Sequence, residues 1–110
     1  MGFQISRRGS VTVVEVEGRL IVGNRHELKR KVEEHVDIGD RKFVIDFTNT
    51  GYIDSSGLGV LVSLSKKLKE FGGELRLSGL GDELRMLFEL TRLVTLFKIT
   101  GTLEEALEDF

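Results

Sequence analysis

The sequence predicts an α/β fold: one domain over residues 1–110, built on a mostly parallel sheet with an antiparallel strand at its N-terminal edge. Three observations carry this. Short β-prone runs alternate with stretches of helical period from Val11 onward, a pattern that implies parallel strands joined by right-handed crossovers. Between the two opening runs lies Arg8-Gly9-Ser10, a turn that suits a hairpin or an adjacent antiparallel pair. The chain has 110 residues, 40% hydrophobic and 31% charged, the size and balance of a single globular domain that buries its own core.

Each element has a local reason. Phe3-Gln4-Ile5-Ser6 alternates apolar and polar, as a half-buried strand does, and Val11 to Glu17 resumes in β-branched residues. Gly18 is expected to end that strand and Arg19 to Gly23 to form a loop with an apolar centre. Asn24 stands as N-cap of a helix to about Val36, with Glu27 in capping-box position and Leu28, Val32 and Val36 on its inner face. Ile38-Gly39-Asp40 closes it. Lys42 to Phe47 reads as the buried central strand, and Asn49-Thr50-Gly51 as a turn. Ser56 to Phe71 is the next helix, stopped by Gly72-Gly73. Glu74 to Ser78 alternates as a strand. Asp82 is expected to cap a helix through about Leu93, with Leu84, Leu87, Phe88 and Leu90 or Thr91 inward. Phe97-Lys98-Ile99 is a short last strand, and Thr102 with Glu105 forms a capping box opening a helix to about Asp109.

Composition excludes several classes of function. Lys+Arg number 16 against Asp+Glu 18, a net charge of −2; binders of nucleic acid or membrane surfaces need a basic excess. The chain has no cysteine, which removes disulfides, thiol nucleophiles and thiolate metal sites and fits a cytoplasmic setting. No apolar run approaches the roughly 20 residues of a membrane span. Met1-Gly2 followed by Ser6 fits the short myristoylation pattern, but Phe3 to Ser6 is read as the first strand.

The stretch that organises the rest is Asp54-Ser55-Ser56-Gly57-Leu58-Gly59. It joins the central strand to its helix, and the carboxyl ends of strands are where open α/β sheets place working residues. Asp54 or Ser55 supplies the N-cap oxygen. At about 100° per residue, Leu61, Leu64 and Leu68 face the sheet, flanked by Leu58 and Phe71. Ser56, Gly59, Ser63, Lys66 and Lys67 fall on the other side. Gly57 and Gly59 each cost roughly 1 kcal/mol of helix propensity relative to alanine, a cost that close approach of another backbone explains. Two readings stand: a serine cap in a tight turn, or a docking surface with an exposed, modifiable hydroxyl at its centre.

Catalytic alternatives find few partners. A serine triad needs a histidine, and the two present are His26 and His35, both on the first helix. His26 lies near the loop and is the one candidate base for Ser56; His35 borders the apolar stripe and reads as structural. Two histidines do not make a zinc site, which takes three or four ligands. Asp46 and Asp54 read as strand-end and cap acids rather than as a carboxylate pair. Gly79-Leu80-Gly81 is a phosphate-loop fragment without its lysine. Lys29-Arg30-Lys31 and Lys66-Lys67-Lys69 are solvated helix faces.

Asp54-Ser55-Ser56-Gly57-Leu58-Gly59-Val60-Leu61 resembles the signature of STAS domains, and specifically of the bacterial anti-sigma-factor antagonists. Gly18-Arg19-Leu20 with Glu27-Leu28, Val44-Ile45-Asp46-Phe47, Gly73-Glu74-Leu75, and Phe97-Lys98-Ile99 with Glu105-Ala106-Leu107 are similar to further family segments. The resemblance implies a sheet of four to five strands with four or so helices, and a partner-switching role in transcription regulation. In such a switch the unmodified form binds an anti-sigma factor that is also a serine kinase, freeing the sigma factor. Phosphorylation then releases the partner, and a PP2C-type phosphatase resets the cycle. By motif alignment the phosphoacceptor is Ser56, with Ser55 as the fallback. Asp54, Ser55, Gly57, Gly59, Val62, Ser63 and Lys66, with Gly23 and Asn24 at the loop end, are the expected partner-binding residues. No cofactor is expected of the chain itself, since ATP and Mg would belong to the kinase, and a monomer is expected. One slot departs from the family: Ile21 stands where many members carry an acid, so contacts assigned to that acid do not carry over. Alternatives within reach are a STAS module of a stress-signalling or lipid-transport complex, or a small serine hydrolase using Ser56 and His26.

Overall fold

A computed structural model describes residues 2–110; Met1, the first residue of the myristoylation pattern, lies outside them. Gly2–Arg8 (β1) and Val11–Leu20 (β2) form the expected antiparallel hairpin. Arg25–Asp37 (α1) leads to Lys42–Asp46 (β3), which lies parallel to β2. Thr50–Ile53 (β4) is followed at once by Ser55–Glu70 (α2), then Glu74–Ser78 (β5) and Asp82–Leu90 (α3). A 3-10 turn over Leu93–Thr95, Lys98–Thr100 (β6) and Leu103–Leu107 (α4) complete the chain. The strands run β1-β2-β3-β5-β6, with β4 paired to β2, and every pairing after the first is parallel. The expected α/β fold is observed, with six strands rather than four to five among the described residues.

Two apolar layers hold the sheet. The larger joins Val14, Val16, Phe43, Ile45 and Leu77 of the strands to Leu28 and Val32 of α1, Leu61, Leu64 and Leu68 of α2, and Leu84 and Phe88 of α3. The smaller joins Val11, Val13 and Val44 to Ala106 of α4. β2 and β3 are therefore covered on both faces, which is why Val13-Val14 and Phe43-Val44-Ile45 are apolar at successive positions. Burying each of Leu61, Leu64 and Leu68 of α2 is worth about 1.5–3 kcal/mol, and together they more than offset the two glycines in its first turn.

The structure corrects several local expectations. β2 does not end at Gly18. That residue takes φ 87° at a shift of register, and the strand continues to Leu20 beside β4. Thr50-Gly51, expected as a turn, opens β4 instead. Asn24 occupies the N-cap position of α1 but makes no capping bond, so no capping box forms with Glu27. Its side-chain oxygen accepts from Ile21 N at 2.9 Å and its amide donates to Arg19 O at 2.8 Å. Phe71 does not face the sheet; it is exposed, with the Arg41 guanidinium 5.4 Å from its ring centroid. Gly81, not Asp82, is the N-cap of α3. That helix stops at Leu90 because Arg92 turns left-handed (φ 62°), and Leu90 points outward at 77% exposure. The Thr102–Glu105 capping box is present, but α4 ends at Leu107.

Candidate functional site

The carboxyl ends of β2 and β4 and the start of α2 meet around one carboxylate. Asp54 leaves β4 in extended conformation and caps α2: Oδ1 accepts from Gly57 N at 2.8 Å. Its Oδ2 accepts from Val22 N at 3.0 Å, and its own N–H donates to Leu20 O at 3.1 Å. One side chain thus ties the helix start to the loop after β2. The Gly57 and Val22 N–H donors, with help from Ser56 N and the nearby Arg25 charge, hold its carboxyl below the usual carboxylate range.

The two glycines of this turn have opposite surroundings. Gly57 is buried, and a Cβ there would stand 2.5 Å from Leu20 O and 2.9 Å from Ile53 Cγ2. Its close approach is to the chain's own backbone, so Gly57, expected on the docking surface, lies beneath it. Gly59 is exposed and a Cβ would meet nothing within 4 Å.

Ser55 is exposed and Ser56 half-buried, both in the first turn of α2. Helical period puts Ser56 on the line of Val60 and Ser63, four and seven residues on. Val60 and Ser63 line a groove between α1 and α2 with Arg25, His26, Lys29 and Gly59. The groove's neighbouring stretch carries Lys66, Lys67 and Glu33, the last two paired at 3.1 Å. Ser55 opens the other way, into a hollow between β4 and α3 lined by Tyr52, Glu83 and Leu87.

Most expected site residues are therefore brought together. Asp54 and Ser55 line the hollow between β4 and α3, while Ser56, Gly59, Ser63 and Lys66 share the side of α2 that faces the α1–α2 groove and its neighbouring stretch. Val62 sits at its edge and packs partly against the core. Gly23 and Asn24 line a separate hollow with Arg19, Ile21 and Glu27; Asn24's amide is committed to bracing the loop. One apolar side chain beside Ser55 went unseen in the sequence: Tyr52, 54% exposed; Val22, in the expected apolar centre of the loop, is 60% exposed. Tyr52 depends on β4, and the alternation Thr50-Gly51-Tyr52-Ile53 ahead of a capping acid is the signal that would have shown it.

The catalytic alternatives find no assembly here. His26 lies in the groove beside Gly59 and Ser63, and no hydrogen bond ties it to Ser56 among the described residues. His35 Nδ1 is 3.0 Å from Asp40 Oδ2. Asp46 accepts from Ser78 Oγ at 2.7 Å and Thr48 Oγ1 at 3.1 Å, which binds two strand ends together. Gly79 takes φ 74° against Thr48, a turn and not a phosphate loop. Among the described residues no group of three or more His, Cys, Asp and Glu could hold a metal, and no helix is long and apolar enough to cross a membrane.

Comparison with known proteins agrees with this layout. An anti-sigma factor antagonist of Bordetella bronchiseptica by name, BtrV, is 30% identical over 108 residues, covering 91% of this chain and 93% of its own length. The anti-sigma-B factor antagonist of Staphylococcus aureus is 34% identical over 86 residues, 78% of this chain and 80% of its own. A crystal structure from Thermotoga maritima, described as an anti-sigma factor antagonist, superposes with a TM-score of 0.91 at 27% identity, covering 97% and 92% of the two chains. The STAS domain model matches residues 3–106, and the chain belongs to the STAS-domain family.

Proposed function

We propose that this chain is an anti-sigma-factor antagonist that works by partner switching in the bacterial cytoplasm. In its unmodified form it docks the outer side of α2 on an anti-sigma factor that is also a serine kinase, and so frees the sigma factor. Phosphorylation at Ser56 releases the partner, and a PP2C-type phosphatase restores the hydroxyl. The observation that carries this reading is the placement of Ser56: half-buried at a helix start, on one face with open Gly59 and exposed Ser63. The relatives named above supply the partner class.

The chemistry needs little from the chain. Ser56 Oγ attacks the γ-phosphorus of ATP bound with Mg on the kinase. The Oγ–P bond forms, the bond to ADP breaks, and the hydroxyl proton passes to a base of the kinase. Reset is attack of water on the phosphorus, returning the hydroxyl and inorganic phosphate. Ser55 is the fallback acceptor, but it faces the hollow by Tyr52 and Glu83 rather than the groove.

Electrostatics make phosphate a release signal. It brings about −1.5 to −2 charges. The helix start favours it by roughly 0.3–1 kcal/mol, and the ionised Asp54 opposes it by a comparable, screened amount. Folding is therefore little altered. Burying the same charge against a protein partner costs several kcal/mol, and 1.4 kcal/mol is tenfold in affinity, so release by roughly two to three orders of magnitude follows. Incubation with kinase-type anti-sigma factors and Mg-ATP, followed by mass-spectrometric mapping, should place phosphate on Ser56. Ser56→Ala should keep the partner and Ser56→Asp should lose it; equal binding by both would sink this mechanism.

A further inference from the structure

Among the described residues, one buried side-chain nitrogen or oxygen has no hydrogen-bond partner: Nε of Arg25. Arg25 is the first residue of α1 and lies half-buried in the α1–α2 groove with Gly59, Val60 and Ser63. Its charge also reaches Asp54, the cap two residues before Ser56. A buried donor left unpaired costs free energy, so its persistence beside the proposed phosphoacceptor asks for an acceptor that arrives later. An oxygen carried by a neighbouring side chain can supply one once the guanidinium turns towards it.

The geometry points to Arg25 as an internal receptor for the Ser56 phosphate: the modified serine gains a guanidinium partner across the groove between α1 and α2. The idea rests on the phosphoserine reading above and adds a residue to it. A guanidinium fork matches phosphate oxygens, and charge-assisted bonds of this kind are short and strong. The groups facing the phosphate would be Asp54 from the cap, Arg25, His26 and Lys29 from α1, and Lys66 further along α2. Arg25 cancels part of the added charge and leaves the rest facing the partner. It also fixes the phosphate over the groove that the partner needs. Release then follows from an occupied groove in a fold that stays intact.

The test uses the full chain with phosphoserine installed at position 56 by genetic encoding, so no kinase need be identified. Phosphorus NMR follows the second ionisation of the phosphate, ordinarily near 6. In the wild-type background it should fall about one pH unit below its value in Arg25→Gln, a tenfold change in proton affinity. Arg25→Lys, which keeps a charge but lacks Nε–H, should lie between. The Nε–H resonance of Arg25 should shift on phosphorylation in the wild-type sequence, a readout that needs no variant to fold. Phosphoserine at position 55 should titrate independently of Arg25. Identical titration of the position-56 phosphate in all three backgrounds, with an unmoved Nε–H, would overturn the inference. So would equal dependence on Arg25 from position 55. Partner release by the phosphoform is measured separately; if release persists while the titrations coincide, the switch stands and Arg25 has no part in it.

Discussion

Two aspartates sit at opposite ends of the sheet, and each ties three segments together. Asp40 works at the N-terminal ends of the parallel strands. It accepts from Arg7 at 2.7 Å, Thr12 Oγ1 at 2.8 Å and pairs with His35 at 3.0 Å, joining β1, β2 and the end of α1. Asp54 works at the carboxyl ends and accepts from the backbone N–H groups of Gly57 and Val22. The difference in donors is what separates a structural end from the proposed working one. Asp40 consumes the side chains around it. Asp54 is satisfied by main chain, so Ser55, Ser56, Val22 and Tyr52 remain available to something outside the molecule.

The strongest way to break the working end is at its tightest point. Gly57→Ala should destabilise the protein by about 2–3 kcal/mol, the upper range for overpacking, because the new Cβ meets Leu20 O at 2.5 Å and two side chains at 2.9 Å. Urea unfolding measures this. A loss below about 0.5 kcal/mol would show that the helix start can slide away from β2, and that the carboxyl end is looser than Asp54's bonds imply.

The structural end is tested by acid. The Arg7 hydrogen bonds, with those of Thr12 and His35, hold Asp40 down to about 2. A carboxyl whose folded pKa is depressed contributes stability that is present above its ordinary value and lost as pH falls towards the folded one. That contribution should therefore fade between about pH 4 and pH 2. Its size is about 1–2 kcal/mol after allowing for the half-exposed Arg7. Asp40→Asn should be less stable at neutral pH and should lose the part of the acid dependence that this group supplies, read by thermal melts across pH. Parallel curves for wild type and variant would mean that Asp40 carries no net linkage.

How much of this comparison was legible depended on the range of the interactions. α2 and its cap were readable, because Asp54, Leu61, Leu64 and Leu68 report on one another within a few turns. The Thr102–Glu105 box was readable for the same reason. β4 was not: its four residues include Gly51, and they become a strand only because β2 shifts register at Gly18 and continues alongside. Tyr52 was hidden with it. Asn24 fits a cap by type, but its amide finds Ile21 N and Arg19 O instead. Arg92 ends α3 through a left-handed backbone that no side-chain pattern announces. Within the site, the wheel placed Ser56 and Gly59 on one outer side and put Gly57 on the line of Leu61 and Leu64; its place in the motif made it a docking residue all the same, and the opposing Leu20 carbonyl shows it buried while Gly59 stays open.

That separation supplies the smallest expected effect on stability and the sharpest on function. Gly59→Arg adds a long side chain where nothing lies within 4 Å, at a helical position where leaving glycine gains up to about 1 kcal/mol of propensity. The melting temperature should therefore hold or rise slightly. The same side chain stands over the α1–α2 groove beside Ser63, so a partner docking there would meet both its bulk and its charge. Binding of the anti-sigma factor, followed by calorimetry, should be lost while the fold is kept. Wild-type affinity in a folded Gly59→Arg protein would move the docking surface off this face, towards the hollow that Ser55 shares with Tyr52 and Glu83.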